Sequence, residues 1–372
     1  MNQVQELAQD KRFKQYILDG DCIDWVCSTG SLNMDVFLDG GFHPGVFRVT
    51  GEPEGGKTSF ALNCARLFQL QVENSFVIYV NAEGRFTPEK VAQSGINTDP
   101  DKFYRLDCNI SDVVYEFMKT LITENPDSKR YLFIIDSVDS LQRLGDADKP
   151  MTECEKVAGG ALINSTMGKK MSLPLHKNGH CAFILSQVRV DLSTASSYTG
   201  PQDKPSGGKA LNHYASIVAV IKNKFINDYI WENANAKTAA DRGKAIGHFA
   251  TFKFTKTRNE KTLESVVVPI KHGRLNGASI WSEYEFYQLA VQWDLLKVKG
   301  AWFNFDDSFV KELEEVKIEI AQSHQGERNL ITYLEANPKV VEYGLEKFRK
   351  MMSLASEAKP IEKLETKPSK KK

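Results

Sequence analysis

The sequence predicts an α/β protein in which helices flank a mainly parallel, twisted sheet. Three observations support this: apolar strand-like runs without polar alternation, helical patterns between them, and a glycine-rich loop after the first run. The runs are GVFRVT, SFVIYV, YLFIID and HCAFILS, which begin at residues 45, 75, 131 and 180. Strands that are apolar on both faces are typical of parallel sheets covered by helices on both sides.

The remaining elements follow from the same patterns. Helices are predicted at residues 58–70, 113–123 and 158–170, and later strands that extend the sheet antiparallel at 217–222, 248–256 and 264–270. The polar stretch 225–247 is expected to be an inserted surface segment. Residues 1–18 predict a short amphipathic helix and a strand at 14–18. The chain from residue 273 predicts a small α+β C-terminal domain, with a largely helical pattern that ends in a long helix at 338–353.

Composition limits the class of protein. The 372 residues, 41% of them hydrophobic, can build a sizeable core, and their number suggests two or three domains. Lys+Arg and Asp+Glu are equal at 48 each, so any nucleic-acid binding must come from a local surface. Six scattered cysteines without a CxxC pair indicate reduced thiols. With neither a signal peptide nor a membrane-length apolar run, the sequence predicts a cytoplasmic protein.

A phosphate-binding loop is predicted where GEPEGGKT matches GxxxxGK[ST] between a strand and a helix. Glycines let backbone N–H groups point at phosphates beside the helix N-terminus. Lys57 is expected to reach the β- and γ-phosphates of a nucleoside triphosphate, and Thr58 to bind Mg²⁺. The acidic Glu52 and Glu54 must then point outward. The expected nucleotide contacts are Gly51, Glu52, Pro53, Glu54, Gly55, Gly56, Lys57, Thr58, Ser59 and Asp136.

Three polar residues follow other predicted strands. Asp136 closes YLFIID and is expected to hold the hydration shell of Mg²⁺. Glu83, in VNAEGRF, is expected to polarise the attacking water; the alternative is an exposed loop glutamate. Gln187 ends the strand at 180–186, and its amide can donate to a γ-phosphate; the alternative is a polar strand end.

A long polar segment follows Gln187. Its small and turn-forming residues run from Val188 to Ser206 and end in Gly207 and Gly208. Segments of this length inside a domain are functional or disordered. Backbone N–H groups and Arg189 could hold phosphates, with Leu192 as an apolar wedge. The alternative is a disordered surface loop.

The order of these motifs resembles the RecA family of recombinases, ATP-dependent filaments that pair and exchange DNA strands. STGSLNMD, GEPEGGKT, NAE, FIIDSVDSL, SQVR and PSGGKALNHYAS occur in the family's order and at similar spacings. GAWFNF and NLITYLEANP resemble the small C-terminal domain of bacterial-type members. The resemblance covers most of residues 20–353 and implies a divergent member.

The resemblance implies roles for individual residues. Asp136 would be the Walker B acid, Glu83 would activate water, and Gln187 would sense the γ-phosphate. Lys256 and Arg258 would reach across a subunit interface to the neighbour's ATP. Two DNA-binding loops would lie near 144–157 and 188–208. The residues that would contact DNA are Val157, Lys169, Arg189, Leu192, Ser206, Gly207 and Gly208.

The resemblance also implies a division of the chain and a set of partners. The implied parts are a polymerisation segment at 1–27, an ATPase core at 28–272, a C-terminal domain at 273–356 and a basic tail at 357–372. Partners would be single-stranded DNA, homologous duplex DNA, further copies of the chain in a helical filament, and loading or mediator proteins, with no membrane.

Several residues depart from the family pattern. Thr87 and Lys90 stand where the family has an aspartate and an adenine-stacking tyrosine, which leaves nucleotide preference open. Asp191 and Leu162 stand where basic residues are expected, and His213 replaces an aromatic interface residue. The extra segment 225–247 and the basic tail are further differences.

The predicted function is therefore an ATP-dependent DNA recombinase that forms a filament on single-stranded DNA and promotes homologous pairing and strand exchange. A RecA-like hexameric helicase or ring ATPase would share the nucleotide chemistry. A non-catalytic, nucleotide-gated DNA-binding scaffold is a third possibility. A small-molecule kinase fits least, because the sequence shows no recognisable acceptor site or lid.

Overall fold

The computed structural model describes residues 6–7, 10–14, 17, 22–147, 149, 158–196, 200–205, 209–233, 238, 240–259 and 261–352. At residues 14, 158–164, 189–196, 200–205 and 209–210 the description covers the backbone alone. The tail from residue 353 onward and most of the strand predicted within residues 14–18 lie outside the described residues.

A large mixed sheet forms the centre of the fold and confirms the predicted α/β class. Its strands are β1 (Gly45–Gly51), β2 (Ser75–Asn81), β3 (Phe103–Leu106), β4 (Arg130–Asp136), β5 (Cys181–Ser196), β6 (Gly200–Pro205), β7 (Ile217–Ile221), β8 (Tyr229–Trp231), β9 (Ala245–Lys256) and β10 (Ser265–Lys271). The strand order is β10-β9-β7-β1-β5-β4-β2-β3, and β6 and β8 pair with β5 and β9. β1 to β5 and β7 run parallel along this order, whereas β9 and β10 extend the sheet antiparallel, as predicted.

Helices cover the sheet on both faces. The α-helices of the described chain, including those of the smaller C-terminal unit, are α1 (Lys11–Lys14), α2 (Leu32–Phe37), α3 (Lys57–Gln71), α4 (Pro88–Ser94), α5 (Ser111–Thr123), α6 (Leu144–Ala147), α7 (Ala158–Lys177), α8 (Lys209–Tyr214), α9 (Ser282–Gln292), α10 (Asp307–Glu315), α11 (Glu327–Ala336) and α12 (Pro338–Met351). None of them is long and apolar enough to cross a membrane.

Successive strand residues feed two separate apolar cores, one on each face. Val49 and Phe183 belong to the core that includes α3 side chains, and Val46 and Ile184 belong to the core that includes α7 side chains. Both faces of these strands are therefore dry, which explains why their sequences lack the alternation of a half-exposed strand.

The segment after Gln187 differs from the structureless loop that its composition suggested. β5 continues to Ser196 and β6 returns antiparallel to it, with Val188 opposite Pro205 and Asp191 opposite Gln202. The start of the segment, VRVDLST, is rich in β-branched residues, which favour extended backbone. We call residues 188–205 the β5–β6 hairpin; residues 197–199 lie outside the described part.

The stretch 225–247 is also more regular than an inserted surface segment. A single 3₁₀ turn at Ile226–Asp228 leads into β8, which adds to the sheet by pairing with β9. The guanidinium of Arg242 lies over the ring of Trp231, 5.7 Å from its centroid. The aromatic residues of YIW explain the pairing, because aromatic side chains favour strands.

A smaller α+β unit follows the large sheet, as predicted. β11 (Leu296–Lys299), β12 (Trp302–Phe305) and β13 (Ser323–Gln325) form a three-stranded antiparallel sheet. Helices α9 to α12 pack with it around a core of their own. Large apolar side chains fill this core, among them Phe286, Phe309, Leu330, Leu334 and Phe348.

Glu285 connects this unit to the start of the core. Its carboxylate is 1% exposed and accepts hydrogen bonds from the Ser31 hydroxyl at 2.6 Å and from the backbone N–H groups of Leu32 and Asn33 at 2.9 and 3.0 Å. These N–H groups belong to the first turn of α2, which has no intrahelical partner for them. Burial raises the pKa of Glu285, and the three donors oppose that rise.

Glu285→Gln is expected to lower the free energy of unfolding by about 1–3 kcal/mol, because an amide nitrogen would face the donors that the second carboxylate oxygen now satisfies. Urea unfolding measures the change. Glu346→Gln is the matched control, since Glu346 is 40% exposed and lies 3.8 Å from its cationic neighbours. Equal stability of the two variants would contradict this role of Glu285.

Candidate functional site

Parallel pairing brings the carboxyl ends of four strands to one edge of the sheet. Gly51, at the end of β1, pairs with Gln187 on one side and with Ile221 on the other. Asn81, at the end of β2, pairs with Asp136 at the end of β4. The loops that leave these strands therefore meet at this edge, where open parallel sheets bind ligands.

The glycine-rich loop curls around the start of α3. The Gly55 N–H donates to the Glu52 carbonyl at 3.1 Å, and Gly56 caps α3 with a φ of 96°. A side chain at Gly56 would have open space but a strained backbone, so the constraint there is conformational. Glu54 is exposed, whereas Glu52 is half-buried. The first N–H groups of α3 are free for an anion in this geometry.

Lys57 extends into the loop from its helix. Its ammonium donates to the carbonyls of Gly51 at 2.9 Å and Glu52 at 2.8 Å, and the residue is 9% exposed. Burial lowers the pKa of Lys57, and the nearby Asp136 and Glu83 oppose that shift. A partly desolvated cation enclosed by a loop of this shape suits a polyphosphate.

Asp136 lies next to the loop and is held by two hydroxyl groups. Its Oδ2 accepts from Thr58 Oγ1 at 2.7 Å and from the Tyr79 hydroxyl at 2.5 Å. Burial and the Asp136 charge raise the pKa of Tyr79, so its hydroxyl stays a donor at neutral pH. A hydroxyl and a carboxylate side by side are the oxygen ligands that Mg²⁺ takes in nucleotide sites.

Glu83 is fixed beside Asp136 and is not an exposed loop residue. Its backbone N–H donates to the Asp136 carbonyl at 3.3 Å, and its carboxylate accepts a hydrogen bond from the Ser137 hydroxyl. Arg85 lies 3.3 Å from the other carboxylate oxygen, and the Glu83 side chain is 13% exposed. The carboxylate is thus oriented at the same edge as Lys57.

Gln187 stands between the glycine-rich loop and the β5–β6 hairpin. Its backbone N–H donates to Asp139 Oδ2 at 2.6 Å, which ties the end of β5 to the turn that follows Asp136. The residue is half-buried and opposite Gly51 in the sheet. A change at this edge can therefore act on the first residue of the hairpin.

A cavity of about 350 Å³ opens next to the loop and has the size of a nucleoside pocket. Glu54, Gly55, Lys90, His248 and His272 are among the residues that line it. The Nδ1 atom of His248 lies 2.8 Å from Nε2 of His272. Burial, aided by Lys224, lowers the pKa of His248 to about 4, so this imidazole is neutral at physiological pH.

Thr87 and Lys90, which differ from the family pattern, have different roles in the structure. Thr87 is the N-cap of α4, where its hydroxyl accepts from the Lys90 N–H at 3.4 Å. Its position is thus explained by helix capping. Lys90 lines the cavity.

Lys256 and Arg258 lie away from the glycine-rich loop of the same chain. Lys256 is level with Arg48 across β7, because both pair with Val218, whereas Gly51 pairs with Ile221. Three residues of a strand span about 10 Å. The Lys256 ammonium donates to the His213 carbonyl at 2.7 Å and the Asn212 carbonyl at 3.3 Å, and Arg258 is exposed.

The residues expected to contact DNA are only partly described. Lys169 is exposed on α7. Arg189 and Leu192 lie in β5, where the structure describes the backbone alone. Val157, Ser206, Gly207 and Gly208 lie outside the described residues, as does most of the expected first loop beyond α6.

Comparison with known proteins decides the family. The sequence model of the RecA N-terminal domain matches residues 20–254, more than half of the chain. The chain belongs to the RecA family. Protein RecA of Petrotoga mobilis is 27% identical over 99% of this chain and 92% of its own length. Protein RecA of Streptococcus sanguinis is 24% identical over 85% of this chain and 74% of its own length. Protein RecA of Streptococcus pneumoniae (strain Hungary19A-6) is likewise 24% identical, over 85% and 72%.

This RecA-family site contains residues that the sequence reasoning did not identify. Tyr79 donates a hydrogen bond to Asp136, and Ser137 donates one to Glu83. Asp139 accepts one from the backbone N–H of Gln187. Tyr79 can be recognised from the sequence, because its hydroxyl makes it a polar residue next to the end of the apolar run SFVIYV. The pairing of His248 with His272 has no sequence signal, because it joins β9 to the turn after β10, 24 residues further along the chain.

Tyr79→Phe is expected to weaken binding of a magnesium nucleoside triphosphate by about 10-fold, the usual cost of losing a group that orients a metal-binding carboxylate. Titration calorimetry with Mg²⁺ and a non-hydrolysable ATP analogue measures the affinity. Tyr104→Phe is the control, because Tyr104 is 50% exposed on the neighbouring strand β3. Unchanged affinity in Tyr79→Phe would show that the hydroxyl does not orient Asp136.

Proposed function

We propose that this RecA-family chain is a DNA-dependent ATPase that forms a filament on single-stranded DNA and promotes homologous pairing and strand exchange. One observation carries the proposal. The residue opposite Gly51 of the glycine-rich loop is Gln187, from which the β5–β6 hairpin begins. A triphosphate held by the loop would be adjacent to the base of a hairpin that can contact DNA.

The nucleotide is held by residues at the edge of the sheet. The N–H groups of residues 56–58 and the Lys57 ammonium bind the phosphates, and the adjoining cavity takes the nucleoside. Thr58 and Asp136 hold Mg²⁺, which neutralises charge on the phosphates when bound. The loop geometry and the partly desolvated Lys57 support this assignment.

Glu83 acts as the base that orients and polarises the attacking water. Its limited exposure and its bonds to the Ser137 hydroxyl and Arg85 fix the carboxylate direction. A general base needs such positioning within hydrogen-bond reach of its proton. Gln187 detects whether the γ-phosphate is present, because it pairs with Gly51 of the loop and its backbone N–H is anchored to Asp139.

Binding of DNA uses the β5–β6 hairpin, residues 206–208 and the segment near 144–157. Arg189, Lys169 and backbone N–H groups hold phosphates of the DNA. Leu192 separates groups of bases, and Val157 contacts the DNA from the first loop. A protein that contacts mainly the sugar-phosphate backbone of DNA leaves the bases exposed for pairing. Such binding is salt-sensitive and nearly independent of the DNA sequence. Asp191 contributes an acid in this hairpin, so Arg189 and the backbone must provide most of the attraction.

Filament formation places ATP between subunits. Lys57, Glu83 and Asp136 act from one subunit, and Lys256 and Arg258 act from the next. The roughly 10 Å offset of Lys256 from the loop in its own chain supports action on a neighbour. The division into an N-terminal polymerisation segment at 1–27, a core at 28–272, a C-terminal domain at 273–356 and a basic tail belongs to this proposal, as do loading or mediator partners.

A strand-exchange assay with single-stranded circles and homologous linear duplex tests the proposal. We expect joint molecules only with Mg²⁺ and ATP or its non-hydrolysable analogue. Electron microscopy of the same mixtures should show helical filaments. Closed rings together with duplex unwinding would instead identify a ring helicase, and nucleotide-dependent DNA binding without hydrolysis would identify a non-catalytic scaffold.

Glu83→Gln is expected to lower the rate of DNA-stimulated ATP hydrolysis by about 10²–10⁴-fold, the usual contribution of a general base. Nucleotide-dependent DNA binding should persist, because the phosphate-binding loop is intact. A phosphate-release assay and DNA anisotropy measure the two properties. Glu89→Gln is the control, since Glu89 is an exposed glutamate in the first turn of α4. Full hydrolysis by Glu83→Gln would remove the catalytic assignment.

Arg258→Ala is expected to bind nucleotide normally as a monomer and to lose DNA-stimulated turnover by at least about 10³-fold, the effect of an arginine acting in trans. Lys311→Ala removes an exposed cation on α10 and serves as control.

Mixing the two inactive variants tests the trans assignment directly. A filament containing Glu83→Gln and Arg258→Ala subunits would include interfaces in which both residues are intact, so the mixture should regain activity. Failure to regain activity in mixed filaments seen by microscopy would contradict action across the interface.

A further inference from the structure

Arg48 is a charged residue in the middle of the sheet, where the mechanism above gives it no role. It lies on β1, pairs with Ile184 of β5 and Val218 of β7, and is 0% exposed. Burial lowers the pKa of Arg48 to about 10, and Asp139 opposes the shift, so the guanidinium remains charged. Burying a charge is costly, and an apolar side chain would usually stabilise such a position as well or better.

The hydrogen bonds of Arg48 connect two elements that flank the β5–β6 hairpin. Nη1 donates to the side-chain oxygen of Asn212 on α8 at 2.5 Å. Nε and Nη2 both lie 3.4 Å from the hydroxyl of Ser186, the residue before Gln187. One rigid guanidinium thus contacts the strand that enters the hairpin and the helix that follows it. Arginine suits such bridging, because its donors form a fixed planar fork.

The same contacts reach both nucleotide-related groups. Gln187 directly follows Ser186 in β5, and its N–H donates to Asp139. On the other side, the Asn212 and His213 carbonyls accept hydrogen bonds from Lys256. Arg48 therefore stands between the residue proposed to sense the γ-phosphate and the cation proposed to reach the neighbouring subunit.

We propose that Arg48 is a positioning residue that couples Gln187 to α8, so that the two ends of the hairpin segment respond together to the nucleotide. This inference rests on the proposed function. With Arg48 in place, a shift at the end of β5 changes the position of Asn212 and hence of Lys256. Without it, the nucleotide and the DNA still bind, but each loses its effect on the other.

The test measures thermodynamic coupling, which a purely structural role would not change selectively. The coupling factor is the ratio of the dissociation constants for a labelled oligo-dT without and with Mg²⁺ and a non-hydrolysable ATP analogue. For the unmodified chain we expect a factor of about 5–150. Arg48→Met and Asn212→Ala should each reduce it below about 3, while analogue affinity without DNA stays nearly unchanged.

Two further variants separate coupling from stability and from unrelated damage. Val49→Ala removes buried methyl groups from the same strand but from the opposite core, and should keep the full factor. The double variant Arg48→Met/Asn212→Ala should be no worse than Arg48→Met alone, because the contact that Asn212→Ala removes is already lost in Arg48→Met. Asn212→Ala decides the question if Arg48→Met does not fold, since Asn212 is only half-buried.

The possible failures are distinguishable. A full coupling factor in Arg48→Met or Asn212→Ala would overturn the role of Arg48 and leave the proposed function intact. If Val49→Ala lowered the coupling factor equally, Arg48 would act only through the stability of the fold. If the unmodified chain binds DNA equally with and without the analogue, both the inference and the nucleotide-gated function are wrong.

Discussion

The parallel register of the central sheet is the constraint on which the rest of the structure depends. Pairing of Gly51 with Gln187, and of Asn81 with Asp136, brings the ends of β1, β2 and β4 and an inner residue of β5 to one edge. These strands are buried on both faces, so a shift in register would move their side chains from one packed core into the other. The sheet thus fixes the distances between the loops at this edge, and the loops carry the side chains that bind and react.

Charged side chains at this edge are useful because the packing takes them out of water. Lys57 is enclosed by its own loop, Asp136 is held by two hydroxyl groups, and Arg48 is fully buried beneath them. Interactions between charges are stronger in such surroundings than at a solvated surface. A change in phosphate charge at the loop therefore acts on an edge whose polar groups are already fixed by hydrogen bonds.

The sequence could predict those parts of the fold and site that are local in the chain. The sheet strands, α3 and the grouping of Lys57, Glu83 and Asp136 follow from apolar runs and from residues at strand ends. The β5–β6 hairpin was mistaken for a structureless loop, because small polar residues masked the β-branched residues that start it. Arg48 and the partners of Glu285 could not be predicted, since each depends on residues far apart in the sequence that only the folded chain brings together.

Amide hydrogen exchange across β5 shows whether the nucleotide state reaches the hairpin through the sheet edge. Exchange is compared without DNA in the presence of a non-hydrolysable triphosphate and of a diphosphate. We expect slower exchange at residues 188–196 with the triphosphate, and no difference in the C-terminal hairpin at 296–305. Identical exchange at 188–196 in the two nucleotide states would contradict this expectation.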